Sequence, residues 1–432
     1  MKKMNLKKKI AFYLNNPTLP EGDYSSIITG NPGLGGSEYE FLLVPYLLEQ
    51  RENEIDVYLF VNFKGTFPHK NVFYAGQLYD VCVKCCDLGI NLLVVDIKYF
   101  DKNVLDGFSK SLSILVWAHN TVKYSLLDLF VKLPYVQKIV NVGCEQMELY
   151  RDHLATLKST YIYNIFPIKE REYYAAEDRD NHNVVYMGSI VRAKGFHVLA
   201  SAWKKVLSEI PDAQLYVIGS GKLYNRDAGL GRYGIAEKDY EDLFMSYLTN
   251  EKGEVLPSVH FLGILKEEKL GVMGKCKVAV PNPTGVSECL PITAMEMQLA
   301  GCSITTVLHP AYLDTVFNKF YLYRNPSRLA QYIIARIKSP SDDVGALYDF
   351  IQSRFGVEKN IERWEQLILH PDEVGVEEIS EYNYHHKKIK EKLLVYKMRY
   401  PLLRCIPPVE IFYDGISTVK YYLSRIAEKL KR

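Results

Sequence analysis

Short apolar runs recur along this chain with amphipathic stretches between them, and that alternation constrains the fold more than any other feature. In the first half the runs are IAFYL at 10–14, IDVYLFV at 55–61, LLVVD at 92–96, SILVWAH at 113–119 and KIVNVG at 138–143. The stretches between them, such as Tyr39–Gln50, are amphipathic. A run of Val, Ile and Leu has no polar side to turn to water, so a strand made from it needs cover on both faces. Helices that alternate with such strands supply the cover, and the pattern predicts parallel, doubly wound α/β sheets.

The second half repeats the pattern. Residues 184–221, VVYMGSIVRAKGFHVLASAWKKVLSEIPDAQLYVIGSG, read as strand, Gly turn, amphipathic helix, Pro-Asp turn, strand and Gly turn, which is one βαβ unit. SVHFLGIL, KCKVAVP and SITTV supply further strands. Helices are expected near 326–337 and 341–354, with a third at Val357–Leu369. At 432 residues the chain exceeds one ordinary core.

Composition narrows the class. A net charge of +2 with 24% charged residues argues against a nucleic-acid binder, so no nucleic-acid partner is expected. The basic start MKKMNLKKK leads into an apolar run that ends at Leu14, too short for a signal peptide's core. No run approaches the ~20 apolar residues of a membrane span, and the protein reads as cytoplasmic. Cys82, Cys85 and Cys86 lie in YDVCVKCCDLG without a second ligand pair, so they read as core packing on a helix.

The stretch Pro281–Gly301, PNPTGVSECLPITAMEMQLAG, carries the chemistry. The strand Val278–Val280 ends in a Pro/Asn/Gly loop, a helix follows, and Gly301 stops it. Such a loop aims backbone N–H groups and the positive end of a helix dipole at one spot, which suits a phosphate. Glu288 and Glu296 lie eight positions apart, one before the helix and one within it. A carboxylate there suits a vicinal diol beside the phosphate. Phosphate and sugar side by side describe a nucleotide-sugar.

At these residues the chain resembles the GT-B glycosyltransferases of the large retaining group 1, GT4-like class. That family's signature is Glu-x7-Glu, commonly Glu-Gly-Phe-Gly/Pro-x4-Glu-Ala-Met-Ala-x-Gly, and Glu288, Pro291, Glu296 and Gly301 stand in register with it. The resemblance covers residues 8 to about 369 in the family's order. It implies two Rossmann-like, doubly wound domains facing each other across a cleft, with a basic helical tail. The boundaries expected are 1–170 for the acceptor-side domain, 171–182 for a linker and 183–355 for the nucleotide-sugar domain. Residues 356–370 would form a helix crossing back to the first domain, and 371–432 a basic amphipathic tail.

The resemblance also implies roles. Glu296 would hold the ribose hydroxyls and Glu288 those of the donor sugar. Lys194 in Lys194-Gly195 would offset the diphosphate's charge. Gly188 precedes Ser189, which stands where the family has Arg, and Arg192 is the nearest cation that could replace it. Gly263 would flank the nucleobase. Backbone N–H groups around Ile292 and Thr293, behind Pro291, would cradle phosphate together with the glycine loop at Gly35 and Gly36, where Ser37 is the expected N-cap. His119, after the strand SILV, would lie near the reacting sugar. Neither a metal nor a cofactor is required, and the family retains anomeric configuration.

Two other motifs fall short of the chemistry they mimic. Asp178-Arg-Asp180 mimics a metal-binding Asp-x-Asp but sits in the charged linker. Gly219-Ser-Gly221-Lys222 lacks the upstream Gly and following Ser/Thr of a P-loop. From His385 onward, Lys and Arg interleave with Leu and Tyr, which suits either an anionic membrane surface or helices packed on the protein with a solvated basic face. The expected activity is transfer of a hexose-type sugar from a UDP-sugar to a glycan or lipid-linked acceptor in surface polysaccharide, lipopolysaccharide or capsule assembly. The protein would sit in the cytoplasm, with the tail on the inner face of the membrane. Two alternatives stand beside it: a non-catalytic GT-B homologue that binds a glycan or partner, and a GT-B nucleotide-sugar epimerase.

Overall fold

A computed structural model of the chain describes residues 7–32, 34–52, 54–167, 181–222, 229–266, 268–374 and 387–411. The chain divides into two compact units, Met1–Pro167 with Val357–Arg432, and Ile168–Gly356. Of the linker expected at 171–182, only residues 181 and 182 are described, and Asp178 and Asp180 lie outside the described residues.

The first unit is built on β1 (Lys8–Leu14), β2 (Ile55–Val61), β3 (Val72–Tyr74), β4 (Leu92–Asp96), β5 (Ser113–Ala118), β6 (Val136–Asn141) and β7 (Ser159–Tyr161). They form one sheet in the order β3-β2-β1-β4-β5-β6-β7, and every pairing is parallel. All five residues of β4 are buried, as a strand covered on both faces requires. The strand order reverses direction between β1 and β4. In such sheets the crevice beyond the strands' carboxyl ends at the reversal is the usual ligand position. The loop into α1 (Gly36–Glu49) and the end of β4 at Asp96 both lie there.

Helix α2 (Leu78–Asp87) turns Cys82 and Cys85 into the core and leaves Cys86 exposed. Burial pushes the Cys82 thiol up to about 12 and raises that of Cys85 as well. A thiol held protonated in this way packs as a small hydrophobe.

The second unit carries β8 (Asn183–Met187), β9 (Gln214–Ile218), β10 (Val259–Gly263), β11 (Val278–Ala279) and β12 (Ser303–Ile304). Their order is β10-β9-β8-β11-β12, again parallel throughout, with the reversal between β8 and β11. Helix α3 (Phe196–Glu209) follows β8 and buries Phe196, Leu199, Trp203 and Val206 on one stripe. It packs with α4 (Lys238–Leu248). Next come α5 (Glu268–Gly274), α6 (Ile292–Leu299), α7 (Leu329–Lys338) and α8 (Val344–Phe355). The last two begin about three residues later than their sequence pattern suggests. Pro326–Arg328 is a 3-10 turn, and the Asp343 side chain caps α8 by accepting from the Ala346 N–H at 2.7 Å.

The stretch SITTV is not one strand. It breaks at Thr305, whose hydroxyl donates to the Tyr321 carbonyl at 2.9 Å, and Thr306–Val307 pairs separately with Leu322–Tyr323.

Helix α9 (Val357–Leu369) returns the chain to the first unit, where Trp364 packs edge-on against Trp117 and Phe12 at centroid distances of 4.7 and 5.8 Å. Beyond it lie α10 (Lys387–Arg399) and a 3-10 segment, Pro401–Cys405. Among the described residues no helix is long and apolar enough to cross a membrane.

Candidate active site

In the second unit the two loops at the strand reversal meet. The loop after β8 carries Gly188, Ser189, Arg192 and Lys194, and the loop after β11 carries Asn282 through Pro291. Gly195 allows the approach. Its φ is +67°, and a Cβ there would lie 2.6 Å from the Thr284 methyl carbon and 3.2 Å from Asn282 Oδ1. Only glycine gives both the left-handed backbone and the space. The contact is reinforced by the Thr284 hydroxyl, 3.2 Å from the Ala193 carbonyl.

This packing puts Lys194 Nζ 2.6 Å from Glu288 Oε1. Asn282 donates to the same carboxylate oxygen from Nδ2 at 2.9 Å. The Asn282 side chain is buried and works in both directions: its Oδ1 accepts from the Thr284 hydroxyl at 2.8 Å, and Nδ2 also donates to the Val286 carbonyl at 3.0 Å. Ser287, immediately before Glu288, has φ +62°, the only positive value for a non-glycine among the described residues. A left-handed serine costs roughly 1 kcal/mol, and here it belongs to the turn that presents Glu288.

Glu296 sits one turn into α6. Its Oε1 accepts from Lys269 Nζ, on α5, at 2.7 Å. No side chain caps α6 behind Pro291, so the first-turn N–H groups of Ile292 and Thr293 have no capping side-chain oxygen. Each glutamate of the Glu-x7-Glu pair is therefore matched by a lysine from a different element. Lys194 has a motif to announce it. Lys269, in the polar run KEEKLG, and Asn282 have none, and sequence reasoning missed both. Their partners are set by tertiary contact alone.

Ser189 is buried, with its hydroxyl 3.4 Å from the Ser220 carbonyl. The Arg192 guanidinium lies over the Tyr240 ring on α4, 5.7 Å from its centroid. Gly263 ends β10 with φ +68°, and its carbonyl accepts from the Gly219 N–H at 2.8 Å.

In the first unit, His119 follows β5 and Asp96 ends β4, in neighbouring strands. His119 Nδ1 stands 3.4 Å from Asp96 Oδ2, within ion-pair reach but outside hydrogen-bond geometry, and neither ring nitrogen has a hydrogen-bond partner among the described residues. The ring is held by Trp117 and Phe41 at centroid distances of 4.5 and 5.7 Å. Gly35, not Ser37, is the N-cap of α1, and the helix begins at Gly36. The Glu38 carboxylate folds back over Gly35, accepting from Ser37 Oγ at 3.1 Å and from Asn16 Nδ2 at 3.2 Å. A carboxylate thus already lies at this helix start, where the resemblance implies a phosphate contact.

Residues 181–338 match the family model described as glycosyl transferases group 1. This stretch is a group 1 glycosyltransferase domain. It spans the whole sheet of the second unit, both lysine–glutamate pairs and Asn282. No curated protein matches the chain by sequence. Among solved structures, HepE of Anabaena in complex with UDP and glucose is 15% identical with TM-score 0.55, covering 84% of this chain and 99% of that one. Sucrose-phosphate synthase from Thermosynechococcus elongatus is also 15% identical, with TM-score 0.57 and coverages of 84% and 99%. The lipopolysaccharide outer core galactosyltransferase WaaB is 14% identical, with TM-score 0.53 and coverages of 84% and 99%. Likeness at this identity shows the fold of the glycosyltransferase, GT-B.

Proposed function

We propose that this chain transfers a hexose-type sugar from a UDP-sugar to a glycan or lipid-linked acceptor, with retention of anomeric configuration. The observation that carries the proposal is the Glu288 carboxylate held between Lys194 and Asn282, beside the uncapped start of α6. A carboxylate fixed by two donors is preorganised to accept hydrogen bonds from sugar hydroxyls, and preorganisation is where transferases gain most. Lys194 is then the cation that offsets charge on the departing diphosphate, and the N–H groups of Ile292 and Thr293 receive phosphate oxygens. Glu296 takes the ribose hydroxyls, with Lys269 as its counter-charge.

Arg192, stacked on Tyr240, is not needed for this scheme. Lys194 and Lys269 provide two cations in the domain although Ser189 replaces the family's Arg. His119 keeps the role that the resemblance implies for it. Residues 1–170 form the acceptor side and 183–355 the donor side. HepE was crystallised with UDP-glucose, and that supports UDP as the nucleotide. The acceptor belongs to surface polysaccharide, lipopolysaccharide or capsule assembly on the cytoplasmic face of a membrane.

Calorimetric titration of the full chain with UDP-, GDP-, ADP- and dTDP-sugars tests the proposal, followed by release of the nucleoside diphosphate with and without acceptor glycans. Binding of a UDP-sugar that disappears in Glu296→Ala is the expected result. No binding of any nucleotide-sugar would reject it, and a sugar-nucleotide product made without acceptor would favour an epimerase. The anomeric configuration of the product, read by NMR coupling, tests retention.

A further inference from the structure

Helix α10 turns two lysines toward the protein. Lys390 and Lys397, two turns apart, are its buried residues. Lys390 Nζ donates to the Glu148 carbonyl and to Glu410 Oε2, each at 2.8 Å. Lys397 Nζ donates to the fully buried Asp152 at 3.1 Å, and the Val409 N–H reaches the same oxygen at 3.1 Å. Buried charges persist only when paired, so these contacts fix the rotation of the helix about its axis. Turning the opposite side inward would strand Asp152, Lys390 and Lys397 without these partners.

The consequence is an outward face of unusual make-up. Ile389, Val395, Tyr396 and Met398 are about half exposed, and Leu402 in the following 3-10 segment is 89% exposed. Lys388, Lys392, Arg399 and Arg404 are exposed among them. The acidic side chains of the stretch do not balance these cations. Glu410 is taken by Lys390, and Glu391 leans toward Arg151 at 3.8 Å.

We infer that this face docks on an anionic lipid bilayer, with the apolar side chains entering the headgroup boundary and the four cations pairing with lipid phosphates. Charge complementarity selects the occupant. A second copy of the chain would bring the same cations against themselves in a two-fold contact, whereas an anionic bilayer offers charge to the cations and hydrocarbon to the Leu and Tyr side chains. The inference rests on the membrane-side reading proposed above and gives it a surface: the outward side of α10, anchored to the protein by Lys390 and Lys397.

The test is co-sedimentation of the full chain with vesicles of phosphatidylcholine alone, or with about one-third phosphatidylglycerol, at low and high salt. Binding to the anionic vesicles, weakened by salt, is expected. The triple variant Lys388→Gln/Lys392→Gln/Arg399→Gln should lower the partition coefficient about a hundredfold, roughly fivefold per cation. Tyr396→Ser with Leu402→Ser should lower it at least about tenfold through lost apolar burial. Both variants change outward side chains, and an unaltered melting temperature will verify that they fold.

Binding that is equal for the two vesicle types, or untouched by both variants, overturns the inference. So does a dimer, seen by light scattering, that Leu402→Ser dissociates. Titration of the same proteins with nucleotide-sugar keeps the two readings apart. Loss of vesicle binding with sugar-nucleotide binding intact removes only the bilayer, and the converse removes only the transferase.

Discussion

Lys194 Nζ and Glu288 Oε1 lie 2.6 Å apart although 94 positions separate them in sequence, and each belongs to a loop at the strand reversal of the second sheet. Both side chains are mostly buried, at 19% and 10% exposed, so the pair feels less solvent screening than a surface ion pair. Replacing Lys194 by Met should lower turnover by about a hundred- to a thousandfold, the usual cost of losing one preorganised charge contact to a leaving group. Nucleoside diphosphate release at saturating donor measures it. A raised KM with unchanged kcat would remove Lys194 from the chemical step.

Asn282 acts through Glu288 and is a positioning residue. Asn282→Ala removes one donor from the carboxylate and releases Thr284, and the loss should amount to about 1.5–3 kcal/mol in kcat/KM, as for a hydrogen bond to a charged group. Asn282→Asp is the sharper probe. It sets a second carboxylate beside Glu288 and should raise the apparent pKa of the pair. A pH–rate profile of the Asp variant that overlays the wild type would refute the positioning role.

Glu296 and Lys269 are more exposed, at 19% and 29%, so their pair should contribute less than about 1 kcal/mol to stability. Binding is another matter. Glu296→Gln keeps the shape and removes the charge, and should weaken nucleotide-sugar affinity about tenfold or more while the melting temperature stays within a few degrees. Calorimetry and thermal unfolding of the same sample separate the two effects.

His69 should impose a pH dependence on stability. It is buried, its Nε2 is 2.7 Å from the Leu42 carbonyl, and burial lowers its pKa to about 4 from an ordinary 6.5. In the unfolded chain it takes up a proton near 6.5, so between about pH 6.5 and 4 the unfolded state binds more protons than the native one. Stability therefore falls as pH falls through that window, by up to about 3 kcal/mol from this residue. Denaturant midpoints measured at pH 7 and pH 4.5 should lie closer together in His69→Gln than in the wild type.

Asp152 and Lys397 are the reverse of a surface pair, both essentially without exposure. Asp152→Ala leaves the Lys397 ammonium buried and unpaired and should destabilise the first unit by about 3–5 kcal/mol. A double replacement by apolar residues of similar volume should recover much of that loss. Equal destabilisation by the single and double variants would show that packing, not charge, is what the pair supplies.

The two parallel sheets are legible in the sequence because their signal is local. Runs such as LLVVD and VVYM, bounded by helices and Gly turns, specify strands covered on both faces wherever they fall, and the spacing of Glu288 and Glu296 needs only one loop and one helix. The break in SITTV at Thr305 was not legible, because the carbonyl that accepts from the Thr305 hydroxyl belongs to Tyr321, outside the run. Nor was the start of α1 at Gly36, since Glu38 folds back over Gly35 and Ser37 spends its hydroxyl on Glu38. Lys269 and Asn282 carry no pattern of their own and become partners of the two glutamates only when distant elements pack. The orientation of α10 shows the limit most plainly. Its sequence offers either face to the protein, and the choice falls to Asp152, Glu148 and Glu410, buried or half-buried groups from other segments that must be paired once water is gone.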